Sequence, residues 1–247
     1  SLTDFILISI KGIYMQAANL IAQVQGMTVI AVALLIGLGA TAQNRPLKGS
    51  GKTVTQTFAF SNFDKIDFND LDGTIEIEVG KPFSISVTID DNLQPLLSVT
   101  EKNGELKLAL KGNRDNNMYI EETSIVVRIS MPEISVLRHK GNTTLTINGI
   151  RGRSLRIENV GNVNVLAKVR IDELEIICRS NGTVRAEALP AKKKNARVSG
   201  NGNVFINTAT TFSGKATGNG NIINKGTGKE DAGSSGSGNG KIITLEN

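Results

Sequence analysis

The feature that most restricts this chain is a Gly-Asn signal that returns at nearly constant spacing through its second half. Cut after each signal, residues 142–240 fall into segments of 20, 21, 20, 18 and 20 residues, with a short remainder from Lys241. A unit of that size cannot bury its apolar face alone, so consecutive copies must stack. Apolar and polar residues alternate within the segments, as in Leu155/Ile157, Ile176/Cys178, Val163/Val165 and Val204/Ile206. Period two marks half-buried strands, and residues 141–247 hold no long stretch with the three-and-four spacing of a helix.

The simplest stack is a right-handed parallel β-helix, a solenoid whose ~20-residue coils rise by about one strand spacing, ~4.8 Å. Equivalent positions then form columns. Counting four back from each closing Gly gives Ile157, Cys178, Val198, Ala216 and Gly236; counting six back gives Leu155, Ile176, Ala196, Gly214 and Ser234. Both columns shrink, which predicts a tapering interior with residues 229–240 as the least stable coil, because small residues bury less apolar area. Asn181, Asn201, Asn219 and Asn239 each precede a closing Gly and predict a turn ladder of stacked amides.

Residues 43–140 are strand-like without a period. Runs at 53–60, 74–79, 83–89, 105–110 and 125–129 alternate, with turn signals at Asp72-Gly73, Asn103-Gly104 and Lys111-Gly112. They predict antiparallel hairpins that lead into the solenoid and cover one end of it, with Asp72-Gly73 as a type I′ hairpin. The expected fold is therefore all-β: N-terminal antiparallel strands and hairpins, then the right-handed parallel β-helix. Residues 43–247 form one domain on this reading, with the strand-rich part at 43–140 and the solenoid repeats at 141–247.

The first 42 residues differ in kind. No charge occurs from Thr28 to Ala42, the apolar run Val29–Leu38 has the length of a signal-peptide core, and Ala40-Thr41-Ala42 supplies small residues for cleavage. This predicts export to the periplasm, the outer-membrane surface or the extracellular space. Left uncleaved, residues 5–42 would serve as a membrane anchor, and Met15 and Met27 are alternative starts.

Phe63-Asp64-Lys65-Ile66, Gly73-Thr74-Ile75-Glu76-Ile77, Gly104-Glu105-Leu106-Lys107-Leu108, Met131-Pro132-Glu133-Ile134 and the later Gly-Asn-Gly turns together resemble the GIN-domain family, over roughly residues 57–245. That family is described as the proposed adhesin heads of autotransporters in Bacteroidota-type envelopes. The resemblance implies an exported β-helical or β-solenoid domain at the cell envelope, with adhesion as its proposed role and no catalytic residues to carry over.

Motifs for chemistry are incomplete. Gly49-Ser50-Gly51-Lys52-Thr53 matches the end of a phosphate-binding loop, but the first required Gly falls at Pro46 and strand-like sequence follows. Asp70-Leu71-Asp72-Gly73 matches part of a calcium loop whose first and twelfth positions would be Phe68 and Val79. One Cys and one His exclude an internal disulfide and a His/Cys metal cluster. Cys178 falls in the apolar register and reads as core; His139, between Arg138 and Lys140, reads as a surface residue with its pKa lowered by those neighbours. Asp90-Asp91 and Glu121-Glu122 are sequential, so along a strand they face opposite ways and do not flank one glycosidic bond. No catalytic, cofactor or metal site is expected, which leaves a non-enzymatic binding module. A structural or self-assembling envelope protein that forms homo-oligomers is the first alternative, and a carbohydrate-active β-helix enzyme the second.

Charge points to the partner. The chain carries 28 basic and 23 acidic residues, and 13 of the basic residues fall in 137–198 against 5 acidic ones. Counting five back from each closing Gly gives Arg156, Ile177, Arg197 and Lys215, an outward stripe if Ile157 and Val198 point in. With Arg179 and Arg185 it forms a candidate face for a glycan or other anionic envelope component. Two Tyr and no Trp leave no stacking platform for nucleic acid.

Overall fold

The computed structural model describes residues 46–112, 119–149, 152–168, 171–179, 181–189 and 191–245; the leader read from residues 1–42 lies outside them. Alternation becomes strand after strand, and among the described residues there is no α-helix, only one 3-10 turn at Gln94–Leu96. The first strands are β1 (Leu47–Lys48), β2 (Thr53–Phe58), β3 (Lys65–Asn69), β4 (Gly73–Val79), β5 (Ser84–Asp90) and β6 (Leu97–Lys102). They are followed by β7 (Glu105–Leu110), β8 (Ile120–Glu121), β9 (Val126–Met131), β10 (Val136–Gly149), β11 (Gly152–Lys168), β12 (Ile171–Cys178) and β13 (Thr183–Ala186). The last are β14 (Ala191–Gly200), β15 (Asn203–Ile206), β16 (Ser213–Gly218), β17 (Asn221–Asn224), β18 (Ser235–Gly236) and β19 (Ile242–Thr244).

These strands form two ladders joined at a corner. The first runs β7, β3, β10, β11, β12, β14, β16, β18, every pair parallel. The second runs β9, β4, β10, β11, β13, β15, β17, β19, also parallel throughout. β10 and β11 are long because each passes through the corner and serves both ladders. Antiparallel strands lie only at the N-terminal end, where β6 pairs β7 and β2 pairs β5, which pairs β9.

The corner explains the Gly-Asn signal. Gly141 pairs Gly161 and Gly200 pairs Gly218, all with positive φ, from +149° at Gly141 to +80° at Gly218. Such values are cheap only for glycine. Stacking is close as well: a Cβ on Gly161 would lie 2.4 Å from the Gly141 carbonyl oxygen, and one on Gly218 2.8 Å from that of Gly200.

Inward side chains of both ladders make one apolar core. On the first ladder the column Leu106, Ile66, Leu137, Ile157, Ile176 holds Leu or Ile throughout and then shrinks to Ala196 and Gly214. On the second, Val204, Ile222 and Ile242 stay large. The δ-methyl of Ile242 lies 3.0 Å from where a Gly214 Cβ would be, so isoleucines of one ladder fill the room left by the other. The next inward column is Phe68, His139, Asn159, Cys178, Val198, Ala216, Gly236. The taper ends in a two-residue strand, β18, whose residues are exposed.

Three expectations are corrected here. Asp72-Gly73 is not a hairpin turn: β3 and β4 belong to different ladders, and Asp70–Asp72 makes the same corner that Gly141 makes one coil later. Parallel stacking therefore starts with β3, because residues 65–79 lie in register on 136–149. The first computed column is also two residues out of step, since Ile157 pairs Ile176, and it is Asn159 that pairs Cys178.

Candidate functional site

The two-residue slip has a simple cause. Gly161 stands before its Asn, whereas Gly182, Gly202, Gly220 and Gly240 stand after theirs. From Asn181 onward the count is in step, and the four corner asparagines stack. Asn201 Nδ2 donates to Asn181 Oδ1 at 2.8 Å, Asn219 to Asn201 at 2.8 Å, and Asn239 to Asn219 at 2.9 Å. The four residues are exposed, and Asn201, Asn219 and Asn239 each use one of their two amide N–H groups in the ladder.

The slip also divides the predicted cationic stripe. Arg197 and Lys215 are in direct register, exposed, and preceded in their column by Ile177, Glu158 and Arg138. Arg156 is not in this column; it follows Val136 and precedes Glu175. Its guanidinium is held by Glu158 and Glu175, each at 2.6 Å, and the Glu158 hydrogen bond is the leading reason its pKa is raised. Further up, Lys107 pairs with Asp67 at 3.2 Å, and Arg138 with Glu105 and, at 3.9 Å, Glu158. Lys107, Arg138 and Arg156 thus each have an acid on a neighbouring strand. Below Ile177 this ladder carries Asp231, whose carboxylate accepts from Gly233 N–H and Ser234 Oγ. Arg179, Arg197 and Lys215 make no ion pair among the described residues, and Ser199 and Thr217 lie beside them on the same outward face.

Arg185 belongs to the second ladder and a different face. Its column runs Leu166, Arg185, Phe205, Ile223, Ile243. The guanidinium sits 4.6 Å from the centre of the Phe205 ring, Lys225 Nζ lies 5.2 Å from it, and Glu187 binds both cations at 3.4 and 3.1 Å. The five sequence-selected cations therefore resolve into a free group of three, one locked arginine and one on another surface.

The remaining motifs are structural. The 49–53 loop turns its donors onto its own chain: Gly51 N–H to Asp90 at 2.8 Å, Ser50 N–H to Asn92 at 3.0 Å and Ser50 Oγ to Asp91 at 2.6 Å. The Ser50 hydroxyl is the main reason the Asp91 carboxyl lies below its usual pKa. His139 corrects an expectation: it is inside, 2% exposed. Arg138 and Lys140 face out, so strand alternation turns His139 inward. Burial, rather than the neighbouring cations, pushes its pKa down to about 4. Nδ1 faces Asn159 Oδ1 at 3.4 Å, Asn159 Nδ2 faces Cys178 Sγ at 3.8 Å, and the thiol reaches the Gly182 carbonyl at 3.7 Å. The chain's one His and one Cys are thus linked through the Asn159 amide.

Sequence reading missed Asn224, fully buried, whose side chain binds the backbone of Thr208, Gly226 and Gly228. Lys192-Lys193-Lys194, which the sequence suggests as a basic loop beside the cationic face, lies instead at the start of β14, and Lys194, 3% exposed, interrupts the inward column Leu155, Leu174. Among the described residues no group of three or more His, Cys, Asp or Glu could hold a metal ion, and no helix is long and apolar enough to cross a membrane.

Parallel strands paired in register along two ladders, with no α-helix among the described residues, define an all-β protein. The chain belongs to the family described as "Putative auto-transporter adhesin, head GIN domain", which it matches over residues 62–187. Two crystal structures share the fold at 20% identity. One is a "putative adhesin" from Bacteroides fragilis NCTC 9343, with a TM-score of 0.55 over 81% of this chain and 100% of that one. The other is a "Putative lipid binding protein" from Parabacteroides distasonis ATCC 8503, with a TM-score of 0.54 over 82% and 100%. No curated protein sequence matches the chain significantly.

Proposed function

We propose that the chain is an exported, non-enzymatic binding module of the cell envelope, a right-handed parallel β-helix whose outer face meets an anionic glycan. Parallel pairing in register over successive coils supports the helical reading, and family membership supports the adhesin-like role. One observation carries the ligand class: Arg179, Arg197 and Lys215 share a face on which Lys107, Arg138 and Arg156 are each paired with an acid and these three are not. Parallel strands place Arg197 and Lys215 about 4.8 Å apart, so one acidic segment can touch both. Weak contacts of this kind add through effective concentration along a polymer.

The test is binding of the full chain to immobilised acidic polysaccharides. Arg179→Ala/Arg197→Ala/Lys215→Ala is expected to lower affinity at least ~10-fold at low salt, and less at high salt, where exposed charges are screened. Arg156→Ala and Arg185→Ala are the controls and are expected to bind as wild type. Undiminished binding by the triple variant would reject the face.

A further inference from the structure

A groove of about 790 Å³ crosses β11, β12, β14 and β16 near the start of each strand. Its accessible lining is polar, and the strand register arranges it in columns. Arg156, Glu175, Asn195 and Ser213 follow one another down the first, and Ser154, Glu173 and Lys193 down the second. Thr211 stands two residues before Ser213 and is exposed on the same outward side.

The charges in this lining already have partners. Glu175 holds Arg156 at 2.6 Å, Glu173 holds Lys193 at 3.1 Å, and Asp172 holds Lys192 at 2.9 Å. Asp231 accepts hydrogen bonds from Gly233 N–H at 3.0 Å and Ser234 Oγ at 3.2 Å, and the buried Lys194 ammonium turns to the Asn207 carbonyl. What stays open is neutral. Ser154, Asn195, Thr211 and Ser213 line the groove and make no side-chain hydrogen bond among the described residues. Hydroxyls and an amide both donate and accept, so they match a ligand rich in hydroxyl groups rather than one with a net charge.

Spacing selects the kind of polymer. Coils stacked as parallel strands repeat equivalent groups every ~4.8 Å. One pyranose unit of a flat, extended β-1,4 chain advances by nearly the same distance, so successive sugars meet successive coils. An extended peptide advances ~3.3 Å per residue and falls out of step.

We propose that this groove binds a neutral, linear β-1,4-linked glycan, one sugar unit per coil, through Ser154, Asn195, Thr211 and Ser213. The ion pairs hold the longer side chains of the walls in place, which lowers the cost of ordering them on binding. The groove adjoins the cationic column, since Arg197 follows Asn195 and Lys215 follows Ser213 by two residues. A neutral chain gives those cations nothing to neutralise, so the inference does not rest on the anionic-ligand reading.

The test is titration calorimetry on the full chain with cellotetraose, mannotetraose, maltotetraose, glucose and a Gly-Ser octapeptide. Cellotetraose or mannotetraose is expected to bind at one site at least ~10-fold more tightly than glucose, because later units bind at the effective concentration set by the first. Maltotetraose, whose α-linkages curl the chain, and the peptide should each be at least ~10-fold weaker than the better of those two, having lost contacts on most coils. Affinity should be equal at low and high salt, since no charge is exchanged. Asn195→Ala/Ser213→Ala should weaken the tetrasaccharide ~10-fold or more, and Arg179→Ala/Arg197→Ala/Lys215→Ala should bind it as wild type. Absence of binding by both β-1,4 tetrasaccharides, equal binding of maltotetraose, glucose or the peptide, a fall with salt, unchanged affinity in Asn195→Ala/Ser213→Ala or loss of binding in the cationic-face variant would each overturn the assignment.

Discussion

Burial of His139 makes stability depend on pH in a defined window. The imidazole lies between Phe68 and Asn159 in the inward column, and desolvation holds its pKa near 4 against the opposing pull of Asn159, Asp72, Asp67 and Asp70. In the unfolded chain the same group titrates near 6.5. Because the folded value is the lower one, the unfolded state takes up the proton first as pH falls. The stability associated with a neutral His139 is therefore present above about pH 6.5 and is lost progressively down to about pH 4. Linkage between these two values gives a loss of about 2 kcal/mol from pH 7 to pH 5, and about 3 kcal/mol once both states are protonated. The assay is urea unfolding at closely spaced pH values, on wild type and on His139→Leu, which fits the column of Leu108 and Phe68. Other groups titrate in both proteins, so the informative quantity is the difference between them. Wild type should lose about 2 kcal/mol relative to the variant over that range, a midpoint change of about 1 M urea at a slope of ~2 kcal/mol/M. A difference that stays flat with pH would refute the argument even if the variant were less stable throughout, because a packing defect does not titrate.

Gly161→Ala is expected to destabilise by ~2–4 kcal/mol, combining a φ of +127° with a Cβ 2.4 Å from the Gly141 carbonyl oxygen; thermal unfolding checks this. Asn224→Ala strands buried backbone groups of the 208–228 turn and should cost ~2–4 kcal/mol by denaturant titration, against ~0.5–1.5 kcal/mol for the exposed Asn219→Ala, which cuts two ladder amide bonds. Cys178 is buried, so iodoacetamide should label it only after unfolding, and labelling at the same rate in native protein would contradict its placement.

The repeat was legible because it encodes a local requirement. A corner that needs positive φ and close backbone approach selects glycine, and the adjoining position selects a side chain that can bond to its own copy. Both demands recur once per coil and so print a period on the sequence. From Asn181 to Gly240 that period alone places each amide on the next. One coil earlier the same rule misleads, because Gly161 sits on the other side of its Asn. A two-residue error moves Arg156 into the wrong column while leaving it on the outer face, so alternation could not expose the mistake. For His139 the information was present: charged residues on both sides fix the direction of the middle one.

Local sequence therefore determined the strands, the corners and the inward or outward direction of most side chains, since each depends on a residue and its immediate neighbours. Which acid neutralises which base depends on pairs such as Glu175 with Arg156 and Lys193 with Glu173, about one coil apart in sequence. The slot around Lys194 is a further step removed, because its ammonium is met by Asn207 from the following strand turn. Such contacts are set by the register between coils, and register is a property of the assembled stack rather than of any segment within it.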